Sequence, residues 1–264
     1  MKSVAVDAVF VETKFSADSK PTFFHRMSRA LTNPVLAYHK LRVSQLTKRV
    51  NQLSNDITIE GFGAEGKSLN GTERTSVIVT DGPKDLNSEK NVEKIRSFDP
   101  NLIVCCGCSI LKEDIIAIPE LGVINLHGGI SQKYRGILPI IFAINNNEPE
   151  YIGLTVHYVT PGIDDGEILY QDRPEIAVSD TPEHIYVKIV KLGIEKVLKA
   201  IEDIREGKES SKPLTQAGEL YLAKMATPEV ILKAWKDCRP VLESYLANKE
   251  PRDTAVRELL NDSA

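Results

Sequence analysis

The most constraining stretch of this chain is a short apolar run that ends in polar residues. Gly122-Val123-Ile124 reads as a buried strand, and it leads into Asn125-Leu126-His127-Gly128-Gly129-Ile130-Ser131-Gln132-Lys133-Tyr134-Arg135-Gly136. Strand side chains alternate between faces, so Asn125 and His127 share one face and Leu126 points to the other. An amide, an imidazole and two glycines at the end of a parallel-type strand suit a site that processes a carbonyl. In open α/β sheets that end is where ligands bind.

A second constellation follows in His157-Tyr158-Val159-Thr160-Pro161-Gly162-Ile163-Asp164-Asp165-Gly166-Glu167-Ile168-Leu169. A strand runs into a Pro-Gly loop carrying two carboxylates, and a second strand leaves it. Taken singly, each residue is ordinary. Asn125 suits a turn, His127 a hydrogen-bonded core or surface position, and Asp164 or Asp165 any exposed loop. His157 lies mid-strand and reads as a supporting residue.

The rest of the chain supplies α/β punctuation. Val4 to Glu12, Thr75 to Thr80, Leu102 to Cys106, Gly153 to Val159 and Glu167 to Ile176 read as strands. Thr22 to about Leu53 has a helical pattern with a basic face, split at Asn33-Pro34 because proline disfavours helix for the residue before it. That face reads as solvated, with a phosphate or RNA patch as the sharper alternative. A helix is expected from about Glu89 to Ser97, and a short one from Pro139. Asp180-Thr181-Pro182-Glu183 opens a long helix whose apolar residues repeat on one face up to Gly207. This order predicts an α/β fold with a doubly wound, mostly parallel sheet and an appended hairpin. Residues 1–206 form the expected catalytic domain, and 207–264 a short strand and helical extension.

Two motifs are discounted. Gly61-Phe62-Gly63-Ala64-Glu65-Gly66 spells G-x-G-x-x-G, but Asp56 to Glu73 reads as a loop, without the strand before it or the helix opening within it that the dinucleotide motif needs. Cys105 and Cys108 have C-x-x-C spacing, but no second pair or histidine cluster accompanies them. They read as buried free thiols, and no metal site is expected. The 264 residues carry a formal charge of −4, which argues against nucleic-acid binding by bulk charge. No apolar run approaches the roughly 20 residues of a membrane span. Neither a signal peptide nor a disulfide scaffold is visible, so the cytoplasm is the expected compartment.

Together, Asn125-x-His127, the Tyr134-Arg135-Gly136 turn and the Gly162-Ile163-Asp164-Asp165-Gly166 loop closely resemble the folate-dependent formyltransferase family. That family includes glycinamide ribonucleotide transformylase, the catalytic domain of methionyl-tRNA formyltransferase and the sugar N-formyltransferases. The resemblance covers residues 100 to 206 well and is weaker before them. It implies a Rossmann-like formyltransferase fold whose opening strand is absent from this chain, and a C-terminal segment too short for the barrel domain of the tRNA enzymes.

The resemblance also implies chemistry. A formyl group passes from 10-formyltetrahydrofolate to a primary amine. Asn125 donates to the developing oxyanion, His127 acts as a cationic donor and proton shuttle, and Asp164 pairs with His127 and can take the amine's proton. The folate is expected against the backbone of Ser109, Ile110 and Leu111 and of Gly162, Ile163 and Asp165. Tyr134 and Arg135 shape the loop. The preferred acceptor is a nucleotide-linked amino sugar, with glycinamide ribonucleotide or methionyl-tRNA as alternatives. A homodimer is compatible with this reading. The competing class is a catalytically impaired folate-binding or interaction module.

Overall fold

A computed structural model describes residues 4–12, 34–63, 71–82 and 84–261. In chain order it contains β1 (Ala8–Val11), α1 (Pro34–Phe62), β2 (Ser76–Val79), α2 (Glu89–Arg96), β3 (Ile103–Cys106) and α3 (Glu113–Ile116). Then come β4 (Val123–His127), β5 (Tyr134–Gly136), α4 (Pro139–Asn145), β6 (Leu154–Tyr158) and β7 (Ile168–Asp172). The chain finishes with α5 (Pro182–Glu206), β8 (Glu219–Tyr221), α6 (Pro228–Ala247) and α7 (Lys249–Asn261).

The fold is α/β. Parallel pairing joins β1 to β2, β3 to β4 and β5 to β8. The main sheet has the order β3-β4-β6-β7. Its antiparallel pairings are β4 with β6 and β6 with β7, the appended hairpin on either side of the aspartate loop.

The alternation of β4 divides the core in two. Ile124 and Leu126 join the larger cluster with Val156, Leu154, α4, α5 and α6. Val123 packs on the other face with Cys105, Leu111, Ile115 and Val92. Helix α5 lies very close to the first face, and a Cβ at Gly193 would sit 2.7 Å from a Leu126 methyl. Thr181 caps α5 by accepting from the His184 N–H in a capping box, and Pro182 takes the first helical position.

Helix α1 departs from the expected pattern. The stretch of Thr22 to Leu53 before Pro34 lies outside the described residues. Beyond Leu53 the helix continues to Phe62 through residues that read as loop. Tertiary packing overrides local composition there. Ile57 and Ile59 are half-buried, the Thr58 hydroxyl donates to Glu183 at 2.7 Å, and Gly61 lies against Val187 of α5. The first glycines of the G-x-G-x-x-G string therefore stand at the carbonyl end of a helix. Phosphate binding uses the opposite, amide end. On α1 the basic Arg42, Lys48 and Arg49 are exposed, while Val43, Leu46 and Val50 are half-buried.

Within residues 207–261, β8 and α6 are packed into the larger core. Strand β8 pairs with β5, and Tyr221, Ala234, Cys238 and Leu242 belong to the main cluster.

Candidate active site

Sheet register assembles the site. Asn125 lies opposite His157, and His127 opposite Thr155, across the β4–β6 ladder. Residues directly opposite project on the same side, so four polar side chains share one face. The register shifts between Val156 and His157, beside the site. The loop from Thr160 to Glu167 then carries Asp164 back over that face.

Asp164 is the hub. Its Oδ2 accepts the Gly136 N–H at 2.8 Å and lies 3.4 Å from His127 Nδ1. Its Oδ1 accepts from Asn125 Nδ2 at 3.3 Å and lies 3.4 Å from His157 Nε2. The aspartate has a left-handed backbone, φ 50°, which short polar side chains such as Asp tolerate better than most. Gly136 must also be glycine: its φ is 85°, and a Cβ would fall 2.1 Å from the Tyr221 carbonyl oxygen.

Partners orient both imidazoles. The His127 Nε2–H donates to the Tyr134 carbonyl at 2.9 Å. That leaves Nδ1 facing the carboxylate. The His157 Nδ1–H donates to its neighbour's carbonyl, Tyr158 O, at 2.8 Å, and Nε2 lies 3.2 Å from Asn125 Nδ2. Asn125 Nδ2 thus stands between Asp164 and His157.

Burial holds the His127 pKa below the ordinary histidine value, although the Asp164 carboxylate and the Tyr134 carbonyl both oppose this. His127 is only 5% exposed, and desolvation of the cation outweighs one ion-pair partner. Burial thus works against the cationic form that the resemblance implies for His127. Asp164 is shifted the other way on balance. Burial alone would raise it, but the hydrogen bond from His157, the His127 charge and the Gly136 N–H together carry it below the usual carboxylate range. His127 Nδ1 and the Asp164 carboxylate face each other at 3.4 Å. Such a pair is poised to accept a proton.

The residues expected to hold folate divide into groups. The Ser109 N–H donates to Glu12 at 2.7 Å, the Ile110 carbonyl accepts from Asn87 Nδ2, and the Lys112 N–H donates to Asn87 Oδ1. Leu111 is buried in the smaller core, so its side chain is turned away from solvent, whereas Ile110 is 60% exposed. In the second loop, the Ile163 carbonyl accepts from Arg135 Nη1 at 3.3 Å and the Gly162 N–H donates to Thr160. Asp165 accepts from the Thr160 hydroxyl and lies 3.9 Å from Arg135. Its carboxylate braces the loop, while Asp164 faces the imidazoles. A cavity of about 350 Å³ lies beyond Tyr134, between Gln132, Glu148, Gly218 and Tyr221, and its walls do not include the Asn125–His127–Asp164 cluster.

His157 is the residue whose involvement the sequence underplayed. Its contacts arise from antiparallel register with Asn125, thirty-two positions away. The Tyr134 carbonyl and Gly136 N–H are backbone groups with no side-chain signature.

This arrangement sets a carboxamide beside a buried imidazole and a carboxylate. A family profile described as Formyl transferase matches residues 39–201, more than half of the chain, and the chain belongs to that family. Among curated relatives, a methionyl-tRNA formyltransferase of Methylacidiphilum infernorum (isolate V4) is 33% identical over 156 residues, covering 59% of this chain and 48% of the relative. A methionyl-tRNA formyltransferase of Fusobacterium nucleatum subsp. nucleatum is 34% identical over 178 residues, covering 67% of this chain and 57% of the relative. The chain spans about half the length of the curated relatives it matches. Among solved structures, a sugar N-formyltransferase from Shewanella sp FDAARGOS_354 is 22% identical with a TM-score of 0.48, over 69% of this chain and 72% of that one.

Proposed function

We propose that this chain transfers a formyl group from 10-formyltetrahydrofolate to a primary amine. The carrying observation is the His127–Asp164 pair beside Asn125, within a chain of the formyl transferase family. The donor set fits this co-substrate: a half-buried carboxamide can face a formyl oxygen while the acid–base pair lies behind it.

Formyltetrahydrofolate supplies the one-carbon acyl group and a nitrogen leaving group. The amine nitrogen bonds to the formyl carbon as the bond from that carbon to the folate nitrogen breaks. Asn125 turns an N–H from Asp164 toward the oxygen on which charge develops. The proton lost by the amine is taken up between His127 Nδ1 and Asp164 Oδ2. His127 returns a proton to the departing folate nitrogen, so the chain ends the cycle unchanged. His157 and the Gly136 N–H hold Asp164 in place and ionised. The backbone of Ser109, Ile110 and Leu111 and of Gly162, Ile163 and Asp165 frames the folate in this reading.

The acceptor we favour is a small anionic amine, a nucleotide-linked amino sugar. A formal charge of −4 is poorly suited to collecting a tRNA backbone, whose binding rests on many lysine and arginine contacts. Among the described residues no helix is long and apolar enough to cross a membrane, and a cytoplasmic location goes with this reading. The test is formyl-tetrahydrofolate turnover, followed by absorbance, with nucleotide-linked amino sugars, glycinamide ribonucleotide, methionyl-tRNA or water as acceptor. Amine-dependent turnover with a sugar nucleotide is expected. Turnover with methionyl-tRNA alone would overturn the choice of acceptor, and folate binding without turnover for any amine would overturn the activity.

A further inference from the structure

The loop that leaves β3 is shaped by side chains from outside it. Strand β3 is the parallel neighbour of β4, with Cys105 opposite Asn125, so the chain that follows emerges beside the carboxamide. That is the carboxyl end of the parallel pair, where open α/β sheets bind ligands. The chain turns at Gly107, whose backbone is left-handed with φ 62°, and passes the exposed Cys108. Ser109, Ile110, Leu111 and Lys112 then lead into α3. Backbone beyond the end of a sheet has lost its ladder partners, and each N–H and C=O needs another.

Two side chains meet three of those groups. Asn87 Nδ2 donates to the Ile110 carbonyl at 3.0 Å, and Asn87 Oδ1 accepts the Lys112 N–H at 2.7 Å. One carboxamide thus grips the loop on either side of Leu111, as the peptide of a neighbouring strand would. Glu12, the residue after β1, takes the third group. Its Oε2 accepts the Ser109 N–H at 2.7 Å, and its Oε1 accepts the Lys84 N–H at 2.6 Å. The turn that carries Asn87 is itself braced. Asp85 Oδ2 accepts from the Asp81 N–H and from Asn91 Nδ2, both at 2.9 Å, and Asn91 Nδ2 also donates to the Asp85 carbonyl at 2.8 Å. Leu86 and Asn91 are buried, which anchors the turn. Held in this way, the loop sends Leu111 into the smaller core and leaves Ile110 exposed.

We propose that Asn87 and Glu12 are positioning residues for the folate co-substrate, fixing the backbone of Ser109, Ile110 and Leu111 in the shape that receives it. This rests on the folate reading of the site. Both residues act on backbone groups at 84, 109, 110 and 112, away from the His127–Asp164 pair. A loop already in its bound shape avoids the cost of ordering when the ligand arrives. Loss of a grip frees the loop and leaves a carbonyl or N–H unmet, so folate affinity falls while the proton-transfer groups stay in place.

Asn87→Asp separates this role from bulk packing. It keeps the side chain's size and an acceptor for the Lys112 N–H, and it sets a carboxylate oxygen against the Ile110 carbonyl where the donor stood. The test measures binding of 5-formyltetrahydrofolate, which carries its formyl group on a different nitrogen from the donor, to the full chain by calorimetry. Wild type, Asn87→Asp, Asn87→Ala and Glu12→Gln would be compared, with urea midpoints recorded alongside. Binding is expected to weaken roughly tenfold in both Asn87 variants, and less in Glu12→Gln, which keeps one acceptor oxygen. In turnover, the KM for 10-formyltetrahydrofolate is expected to rise by the same factor, while kcat and the position of its acid limb stay. Should Asn87→Ala not fold, Asn87→Asp decides. Wild-type binding that Asn87→Asp leaves unchanged, or a loss confined to kcat with the folate KM unmoved, would overturn the positioning role alone. No binding by the wild type would overturn the folate reading and this role with it.

Discussion

At the residue scale, His127 and Asp164 differ in what burial does to them. Both have folded pKa values below their ordinary ones, 6.5 and 3.8. For His127 the unfolded chain binds the proton more readily. Its neutral form therefore favours folding above about pH 6.5, and stability falls as the pH drops below that. For Asp164 the contribution is present above the unfolded value and is lost as pH falls through the lower folded one. Urea titrations at pH 7 and pH 5 are expected to show a drop in stability at pH 5 that is smaller in His127→Gln. Catalysis should share the sign if, as proposed, His127 takes up the amine's proton. The acid limb of kcat/KM against pH is expected below the ordinary histidine value near 6.5. A limb above it would mean that Asp164 wins over burial.

Also at this scale, Gly136→Ala combines a left-handed backbone with a Cβ 2.1 Å from the Tyr221 carbonyl. The expected loss is on the order of 3 kcal/mol, or no folded protein, measured by urea denaturation. The proximity of Asn125, His127 and Asp164 was legible through the resemblance of Asn125-x-His127 and the aspartate loop to a family pattern. The lowered His127 pKa was not, because desolvation depends on packing by residues far away in sequence.

At the element scale, the elements with strong end signals were the most readable. The Asp180-Thr181-Pro182 start of α5 is realised with Thr181 accepting the His184 N–H. Thr181→Ala is expected to cost about 1 kcal/mol, seen as a lower urea midpoint at unchanged slope. Helix α1 shows the opposite case. Its last turns, through Thr58 to Phe62, look polar and glycine-rich in sequence, and only contact with Glu183 and Val187 of α5 explains why they are helical. The role of His157 was hidden in the same way, since strand register decides which residue stands opposite Asn125.

At the scale of the whole molecule, the candidate site's sheet and the C-terminal segment share one core. Strand β8 pairs with β5, which carries Tyr134 and Gly136, and Gly218 accepts from Arg135 Nε at 3.0 Å. Leu242 of α6 is fully buried. Leu242→Ala is expected to cost about 3 kcal/mol in a single unfolding transition. A fragment ending at residue 206 is expected not to fold cooperatively. A cooperative fragment would show that 207–264 is dispensable. The α/β class followed from the order of strands and helices, while this shared core did not, because short linkers say little about where a following helix docks.

The most direct test compares two neighbouring carboxylates. Formyl-tetrahydrofolate turnover with the preferred amine would be measured for the wild type, Asp164→Asn and Asp165→Asn. Asp164 accepts the Gly136 N–H and faces both imidazoles, whereas Asp165 accepts only from Thr160 and lies near Arg135. The expected result is a roughly 100-fold or greater loss of kcat/KM for Asp164→Asn and a small change for Asp165→Asn. Equal losses, or the larger loss at Asp165, would contradict the assignment of the proton-accepting pair to His127 and Asp164.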